Sequence, residues 1–357
     1  MGTTTIAVDQ EALEAFVGKA VGEFGAAASA ALVVMGDKLG LYRALAGAGP
    51  LTVSELAERT GTDQRYLHPW LVNQAAGGYI AHDAATGRYW LPPEQATALT
   101  DETSPFYVGG GFQVITAAMK AESRISENFR SGKGLLWGEQ DPGLFQGTER
   151  FFRPGYEANL VESWIPALDG AQEKLHAGAV VADVGCGHGV HTLIMAEAFP
   201  NSRFFGFDIH APSIARAREL AEEAGLADRA IFAVADATDF PGRNYDLIAY
   251  FDCLHDMGDP VAVARHVRAA LAPGGSWMIV EPRAGDSVEE NLNPVGRAYY
   301  AFSTLLCTPS SLSQEGGLAL GAQAGEARLR QVLETAGFTN VRRAAETPFN
   351  LVLEAKA

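Results

Sequence analysis

The sequence of 357 residues is poor in cysteine. It has only Cys186, Cys253 and Cys307, which are widely spaced and form no CxxC pair. An odd number of such cysteines predicts neither a disulfide framework nor a structural zinc site, and it fits a reducing, cytoplasmic compartment best. We expect no metal site, because the histidines lack the spacing typical of helix-borne zinc ligands.

Positive charge is scarce as well. There are 27 Lys and Arg against 43 Asp and Glu, which gives a formal net charge of -16. Capture of a phosphate backbone depends on clustered basic residues, so we expect neither nucleic acid nor an anionic membrane as a partner.

Long hydrophobic runs are also missing. The longest stretch of small and apolar residues is GAAASAALVVMG, near residue 30. It is shorter than the roughly 20 residues that a membrane span requires, and no basic segment of a signal peptide precedes it. We therefore predict a soluble, untargeted protein. A hydrophobic content of 47% with 20% charged residues predicts a globular chain, whose length suits two domains.

The N-terminal region predicts a small helical domain. Residues 10–47 are rich in alanine, with apolar residues at helical spacing. Next, Thr52 can cap a short helix, a turn at Gly61 leads to a second helix, and two strands flank a turn at Gly87. Helix, turn, helix and hairpin is the order of elements in a winged-helix domain.

The second of these helices decides between DNA recognition and a scaffold role. It runs from Asp63 to about Ala76 and carries a single cation, Arg65. An apolar helix cannot neutralise phosphates or read base edges, so the composition favours a scaffold or dimerisation module. Its larger side chains are Tyr66, Leu67, Trp70 and Leu71.

Residues 106–170 are helical in pattern, interrupted by glycines and rich in aromatic side chains such as Phe145, Phe152 and Tyr156. The segment predicts either the wall of an apolar ligand pocket or a core between domains. After residue 178, continuous apolar strands alternate with amphipathic helices, which predicts a parallel sheet covered on both faces. Two strand-like runs at the C-terminus predict a final hairpin.

The strongest motif is VVADVGCGHGVH, in which Asp183, Gly185, Gly187 and Gly189 lie between a strand and a helix. Glycines let the backbone turn tightly beside a ligand, and the next helix offers free N–H groups. Residue 190 is Val, so the dinucleotide fingerprint G-x-G-x-x-G is not met. The spacing resembles the first motif of class I S-adenosylmethionine (SAM) methyltransferases.

This resemblance, which covers roughly residues 150–357, implies roles for the acids at the strand ends. Asp208 is expected to accept the ribose hydroxyls, Asp236 the adenine amino group, and Asp183 the ammonium of the methionine moiety. Each acid could instead only cap the following helix. The cofactor-binding residues that the resemblance implies are Asp183, Gly185, Cys186, Gly187, Gly189, Asp208, Ile209, Asp236, Ala237 and Asp252.

A second motif is DCLHD, at residues 252–256. With the winged-helix half, the whole chain resembles plant-type small-molecule O-methyltransferases and actinobacterial winged-helix methyltransferases. The resemblance implies that His255 is the general base beside Asp256, that it faces the substrate, and that Glu281 flanks it. A second flanking Glu has no clear counterpart in the nearby LGAQAGE, which departs from the plant-type pattern.

The chemistry of a hydroxyl acceptor explains why a base is needed. A phenol, with a pKa near ~10 by analogy with Tyr, is a poor nucleophile at pH 7, and a neutral His255 could take its proton. Glu281 or Asp256 could fix the tautomer of the imidazole, and the sequence does not choose between them. His255 could also only position the acceptor or fill the loop.

The fold expected is a Rossmann-like seven-stranded, mostly parallel sheet with a terminal antiparallel hairpin, behind a mainly helical winged-helix domain. We expect the winged-helix domain at 1–105, a helical linker at 106–170 and the methyltransferase domain at 171–357. The preferred function is SAM-dependent methylation of a small, aromatic or apolar acceptor, releasing S-adenosylhomocysteine (SAH). The alternatives are a ligand-sensing winged-helix regulator and a macromolecular methyltransferase. The resemblance also implies a homodimer formed through the N-terminal domain.

Overall fold

The computed structural model describes residues 8–357. By the density of contacts along the chain, these residues form two compact units, and the boundary between the units falls between Thr116 and Ala117. The helical segment from residue 117 to residue 170 belongs to the second unit.

The first unit has the predicted order of helix, turn, helix and hairpin. Thr52 caps its third helix in a capping box with Glu55, and Gly61 ends that helix in the left-handed conformation. Asp63 caps the fourth helix. The elements are α1 Gln10–Lys38, α2 Leu41–Leu45, α3 Val53–Thr60, α4 Gln64–Ala76, β1 Ala81–Asp83, β2 Arg88–Trp90, α5 Pro93–Thr100 and α6 Gly109–Ala118, which ends just past the boundary.

Helix α4 turns its apolar side chains into the core of this unit. Leu67, Trp70 and Leu71 are buried there, whereas Tyr66 is 83% exposed. The apolar residues that the sequence places on this helix therefore mainly stabilise the unit.

Helix α1 is 29 residues long, and by length and composition it could cross a membrane. The uninterrupted apolar run within this helix, on which the prediction of no membrane span rested, is shorter than the helix itself. In the most apolar window of the helix, 17% of the residues are buried within the protein. A single helix of this kind near the N-terminus is weak evidence for a membrane span.

The second unit is built on a seven-stranded sheet in the order β5-β4-β3-β6-β7-β9-β8. The first five strands in this order are parallel, and β9 and β8 are antiparallel, as the C-terminal pattern predicted. The strands are β3 Val180–Val184, β4 Arg203–Asp208, β5 Ala230–Val234, β6 Tyr245–Phe251, β7 Leu271–Pro282, β8 Asn340–Glu346 and β9 Asn350–Lys356.

Helices cover both faces of this sheet and bury a separate apolar cluster on each. Burial on both faces explains why the strands read as continuous apolar runs. The carboxyl ends of β5, β4, β3 and β6 lie side by side at one edge, which is where open α/β sheets bind ligands. The helices are α7 Glu122–Ser131, α8 Pro142–Asn159, α9 Ala171–Ala177, α10 Val190–Ala198, α11 Ala211–Glu223, α12 Pro260–Ala270, α13 Pro294–Phe302, α14 Thr308–Leu312 and α15 Gly325–Thr335.

Candidate active site

The glycine loop connects β3 to α10, and its backbone requires glycine. Gly185, Gly187 and Gly189 have φ values of 74°, 53° and 76°. A Cβ on Gly185 would lie 2.7 Å from the sulfur of Cys253, and one on Gly189 would lie 2.6 Å from the ring of Phe232. A side chain at either position would therefore strain the backbone and collide with the core.

Asp183, at the end of β3, is fully buried behind this loop. Its Oδ2 lies 2.5 Å from Nδ1 of His191 and also accepts a hydrogen bond from the hydroxyl of Thr192. Its Oδ1 has no hydrogen-bond partner among the described residues. Asp183 does not line the cavity described below, whereas His191 does. The structure thus gives Asp183 a clear role in fixing the start of α10.

Asp208 fixes the other side of the loop. Its Oδ2 accepts a hydrogen bond from the backbone N–H of Gly187 and its Oδ1 accepts one from the N–H of His210, both at 2.8 Å. Burial raises the pKa of this carboxyl. Each carboxylate oxygen has a second lone pair, so Asp208 can still accept ligand hydroxyls.

Asp236 follows β5 and is exposed. Its Oδ1 accepts hydrogen bonds from the N–H and the hydroxyl of Thr238, at 2.8 and 2.6 Å. Ile209, which is 60% exposed, and Ala237 lie beside it on the same cavity. The residues assigned to the cofactor from sequence, apart from Asp183 and Gly189, thus line one cavity.

This cavity has a volume of about 550 Å³ and lies at the carboxyl ends of β3, β4, β5 and β6. Part of its wall comes from α8 and the segment before it, through Trp137, Phe145, Phe152 and Tyr156. Phe145 also stacks on the imidazole of His210, with 4.5 Å between the ring centroids. The aromatic residues of segment 106–170 that line the cavity therefore support the first of the two interpretations, a pocket wall.

The charged side chains along the cavity are almost all acidic. Among the described residues, no lysine or arginine lines it. An acidic cavity favours a cationic ligand and disfavours phosphates, as Coulomb attraction and repulsion require. Its acids are Glu149, Asp208, Asp236, Asp252, Asp256, Asp259 and Glu315.

A contact that the sequence did not predict joins α8 to the glycine loop. Glu149 lies 2.7 Å from Nδ1 of His188 and also pairs with Arg153. Burial raises the pKa of Glu149, but its hydrogen bonds to His188 and Arg153 prevail and lower the pKa to about 2. The helix and the loop are thereby held together across the cavity.

Asp252 is the first residue after β6, and its backbone is strained. Its φ is 49°, a conformation that is uncommon for residues other than glycine. Oδ2 accepts a hydrogen bond from the hydroxyl of Tyr156 at 2.8 Å, and Oδ1 lies 3.5 Å from Nδ2 of Asn350. Burial and the nearby charge of Glu281 raise the pKa of Asp252 to about 7.

His255 lies in a short 3-10 turn, Leu254–Asp256, between two carboxylates. Nδ1 is hydrogen-bonded to Oε2 of Glu281, and Nε2 lies 3.3 Å from Oδ1 of Asp256. The other oxygen of Glu281 accepts the N–H of Leu254 at 2.9 Å. The three residues implied by the resemblance, His255, Asp256 and Glu281, are therefore brought together.

The structure differs from the expectation in which of them meets the cavity. His255 is 4% exposed and does not line the cavity, whereas the next residue, Asp256, does. Burial lowers the pKa of His255, but the carboxylates of Glu281 and Asp256 prevail and raise it well above its ordinary value. The imidazole is thus held in its charged form between the two acids.

The group next to His255 is a thiol, where the resemblance leads one to expect a second glutamate. The ligand atoms of His255, Asp256 and Cys307 lie within 4.8 Å of one another. The two candidates near the expected position point elsewhere: Gln323 bonds to Ser303, and Glu326 pairs with Arg330 and Arg343. That the chain binds no metal stays a prediction.

Comparison with known proteins identifies a domain family for the N-terminal region and another for the C-terminal region of the chain. Residues 175–337 match the model of a family described as a methyltransferase domain, and residues 27–101 match the Rv2258c-like winged HTH domain. The chain therefore carries a class I SAM methyltransferase domain behind an N-terminal Rv2258c-like winged HTH domain.

The curated relatives include demethylspheroidene O-methyltransferase of Rhodobacter capsulatus, which is 26% identical over 84% of this chain and 71% of its own length. Acetylserotonin O-methyltransferase of Mus musculus is 32% identical over 62% of this chain and 61% of its own length. For 27-O-demethylrifamycin SV methyltransferase of Amycolatopsis mediterranei, the identity is 31% over 37% of this chain. The match to that protein spans about half of its length, at 51%.

Solved structures with the same fold include human N-acetylserotonin methyltransferase in complex with SAM. It is 16% identical, covers 100% of this chain and 99% of its own, and superposes with a TM-score of 0.71. The mitomycin 7-O-methyltransferase is 21% identical over 97% of this chain and 100% of its own, with a TM-score of 0.69. At these identities the likeness shows the shared fold.

Proposed function

We propose that the protein transfers a methyl group from SAM to a hydroxyl of a small, aromatic or apolar acceptor. One observation carries the proposal: the glycine loop lines one acidic, aromatic-walled cavity, and the group formed by His255, Asp256 and Glu281 reaches the same cavity through Asp256. SAM, when bound, supplies an electrophilic methyl group on a cationic sulfur. The relatives named above include O-methyltransferases of small molecules, which supports a hydroxyl as the accepting group.

The residues around the cavity fit this cofactor. A cavity of about 550 Å³ without basic side chains among the described residues suits a cationic, phosphate-free ligand. In the proposal, Asp208 accepts the ribose hydroxyls, Asp236 the adenine amino group, and the N–H groups of the glycine loop face the methionine end. Most of the catalytic effect then comes from holding the acceptor oxygen in line with the methyl group.

Asp256 removes the proton, and the charged imidazole of His255 beside it orients its carboxylate. Asp256 lines the cavity, and burial raises the pKa of its carboxyl, which makes it a better proton acceptor. During transfer to a hydroxyl, the proton of that hydroxyl would pass to the carboxylate of Asp256. Glu281 holds the imidazole in place and stabilises its positive charge.

The test is to incubate the protein with methyl-labelled SAM and a small-molecule extract of cells, and to identify the labelled product by mass spectrometry. We expect label in a small molecule, with the methyl group on oxygen. His255→Ala is the inactive control, and Asp228→Asn, which changes an exposed acid outside the cavity, is the active control. Label found only in protein or nucleic acid would overturn the proposal.

A winged-helix regulator is the alternative that the sequence left open. Its recognition helix would have to be α4, whose apolar side chains Leu67, Trp70 and Leu71 are buried within its own unit. No observation on the described residues favours DNA binding. Specific, salt-sensitive binding of the protein to its own promoter would revive this alternative.

We also propose that the chain forms a homodimer through α1. Most of this helix is exposed, and its exposed apolar side chains lie at helical spacing. A large exposed apolar surface of this kind marks an interaction site more often than free surface. A monomeric mass by light scattering at micromolar concentration would contradict the proposal. The side chains are Leu13, Phe16, Val17, Val21 and Phe24.

A further inference from the structure

The strand order arranges the polar groups of the cavity in a line. Asp236 follows β5, Asp208 ends β4, the glycine loop follows β3, and Asp252 follows β6, and these strands are neighbours in that order. Adjacent strands lie ~4.8 Å apart, so the line from Asp236 to Asp252 is about 14 Å long. With the adenine at Asp236 and the amino acid end at the glycine loop, as proposed above, the sulfur of SAM would lie toward Asp252.

Asp252 is held in a fixed place at that end. Tyr156 donates a hydrogen bond to one carboxylate oxygen from α8, and Asn350 approaches the other from β9. Tyr156 is itself held by aromatic contacts with Phe152 and Phe251, at centroid distances of 5.9 and 5.4 Å. Its strained backbone and the contacts from two other elements, α8 and β9, thus fix this carboxylate, which lines the cavity.

Among the described residues, no lysine or arginine is hydrogen-bonded to the carboxylate of Asp252. Its surroundings are acids, phenols and two histidines, and because the acids outnumber the charged imidazole of His255, a cation that enters the cavity would meet a net negative charge. The titratable groups that face Asp252 are Tyr156 on α8, His191 on α10, His255 in the 3-10 turn, Glu281 on β7 and Tyr299 on α13.

We propose that Asp252, oriented by Tyr156, is the residue that distinguishes the cationic cofactor SAM from its neutral product SAH. SAM and SAH share the adenosine and the amino acid end, and they differ in the methyl group and in the positive charge on sulfur. A fixed carboxylate beside the sulfur strengthens the binding of SAM alone and favours release of SAH. The inference rests on the proposed use of SAM, and it adds to that function a role for Asp252 in the exchange of SAH for SAM.

The test compares the affinities of the full-length protein for SAM and for SAH by calorimetric titration, without an acceptor. We expect Asp252→Asn to weaken SAM about tenfold more than SAH, the effect of one pKa unit of charge interaction. Asp228→Asn, which removes an exposed acid, is the matched control and should change neither affinity. An equal loss for SAM and SAH would place the carboxylate on the shared ammonium and overturn the inference.

The pH dependence gives a second measurement. Since the pKa of Asp252 is raised to about 7, the preference for SAM over SAH should grow as pH rises through 7. Tyr156→Phe removes a hydrogen bond that lowers this pKa, so the midpoint should move to higher pH, and the preference should recover above it. Tyr250→Phe is the control, because the hydroxyl of this buried tyrosine has no partner among the described residues.

These outcomes separate the two levels of the proposal. If neither SAM nor SAH binds to the wild-type protein, the proposed function fails together with the inference. If both bind, but the ratio of their affinities is the same in Asp252→Asn and in the wild type, only the inference fails. If the midpoint pH of the SAM preference is the same in Tyr156→Phe as in the wild type, Tyr156 does not influence the charge of Asp252.

Discussion

At one end of the cavity, Asp208 and Asp236 accept hydrogen bonds from backbone N–H groups of the loops beside them. At the other end, Asp252 and Asp256 line the cavity and Glu281 is buried behind them, and these acids contact side chains, among them a phenol and an imidazole. Backbone donors hold a carboxylate still while leaving lone pairs for a ligand. Buried ionisable side chains that contact one another instead shift one another's pKa values. The first end is therefore suited to holding a cofactor, and the second to moving charge during transfer.

The largest effect that this comparison predicts is on turnover. His255→Ala should lower methyl transfer about a thousandfold, within the range of acid–base catalysis, because Asp256 loses the cation that orients its carboxylate. Its affinity for SAH should stay within about threefold of wild type, because His255 does not line the cavity. Steady-state rates and calorimetry measure the two quantities. If the affinity for SAH fell as much as the rate, His255 would also support cofactor binding, and the two ends of the cavity would not have separate roles.

The ionised carboxylate of Asp252 should lower the free energy of unfolding of the protein. Its pKa of about 7 in the folded state lies above the ~3.9 of an unfolded chain. The carboxylate therefore destabilises the fold increasingly as pH rises from ~4 to ~7. Asp252→Asn should raise the free energy of unfolding, by about 2 kcal/mol more at pH 8 than at pH 5.5.

Thermal or denaturant unfolding at the two pH values measures this difference. Asp228→Asn, an exposed acid, is the control and should show no comparable pH dependence. An equal change in stability at both pH values would mean that Asp252 carries no raised pKa in the folded protein.

The next effect concerns the first end. Asp208→Ala removes a buried carboxylate that supports the glycine loop and, in the proposal, accepts two ribose hydroxyls. Hydrogen bonds to a charged group contribute about 1.5–3 kcal/mol, so SAH affinity should fall about ten- to a hundredfold. Turnover at saturating SAM should change little. An unchanged affinity would remove Asp208 from the cofactor site.

The smallest effect is expected at Asp236. This carboxylate is exposed, and it already accepts two hydrogen bonds from Thr238. An exposed hydrogen bond contributes about 0.5–1.5 kcal/mol, so Asp236→Asn should weaken SAH a few-fold. Calorimetry with SAH measures this affinity. If Asp236→Asn lost more affinity for SAH than Asp208→Ala, Asp236 would be the more important of the two acids for cofactor binding.

The difference between the two ends also explains what the sequence could predict. The glycine loop and its acids depend on residues that are close in sequence: Asp208 bonds to Gly187 across one strand pair and to His210 two residues on. Spacing and strand ends therefore predict this end, as they predict the seven-stranded sheet and the winged-helix order. Turn chemistry and strand periodicity are local properties.

The second end depends on contacts between residues far apart in the chain. Tyr156 and Asp252 are 96 residues apart, and Asn350 and Asp252 are 98 apart. No local pattern identifies such pairs, and the placing of Cys307 beside His255 likewise requires the packed helices. That His255, Asp256 and Glu281 belong together was implied by the family resemblance. It did not predict that Asp256, and not His255, lines the cavity.

The most direct test of this division is a titration of SAM in the methyl-transfer assay with Asp208→Ala and His255→Ala side by side. Transfer of label to the small-molecule acceptor is measured at increasing SAM concentrations. We expect high SAM to restore Asp208→Ala to near the wild-type rate, because only cofactor binding is weakened, and we expect no concentration of SAM to restore His255→Ala. Rescue of His255→Ala by SAM, or a persistent loss in Asp208→Ala, would contradict it.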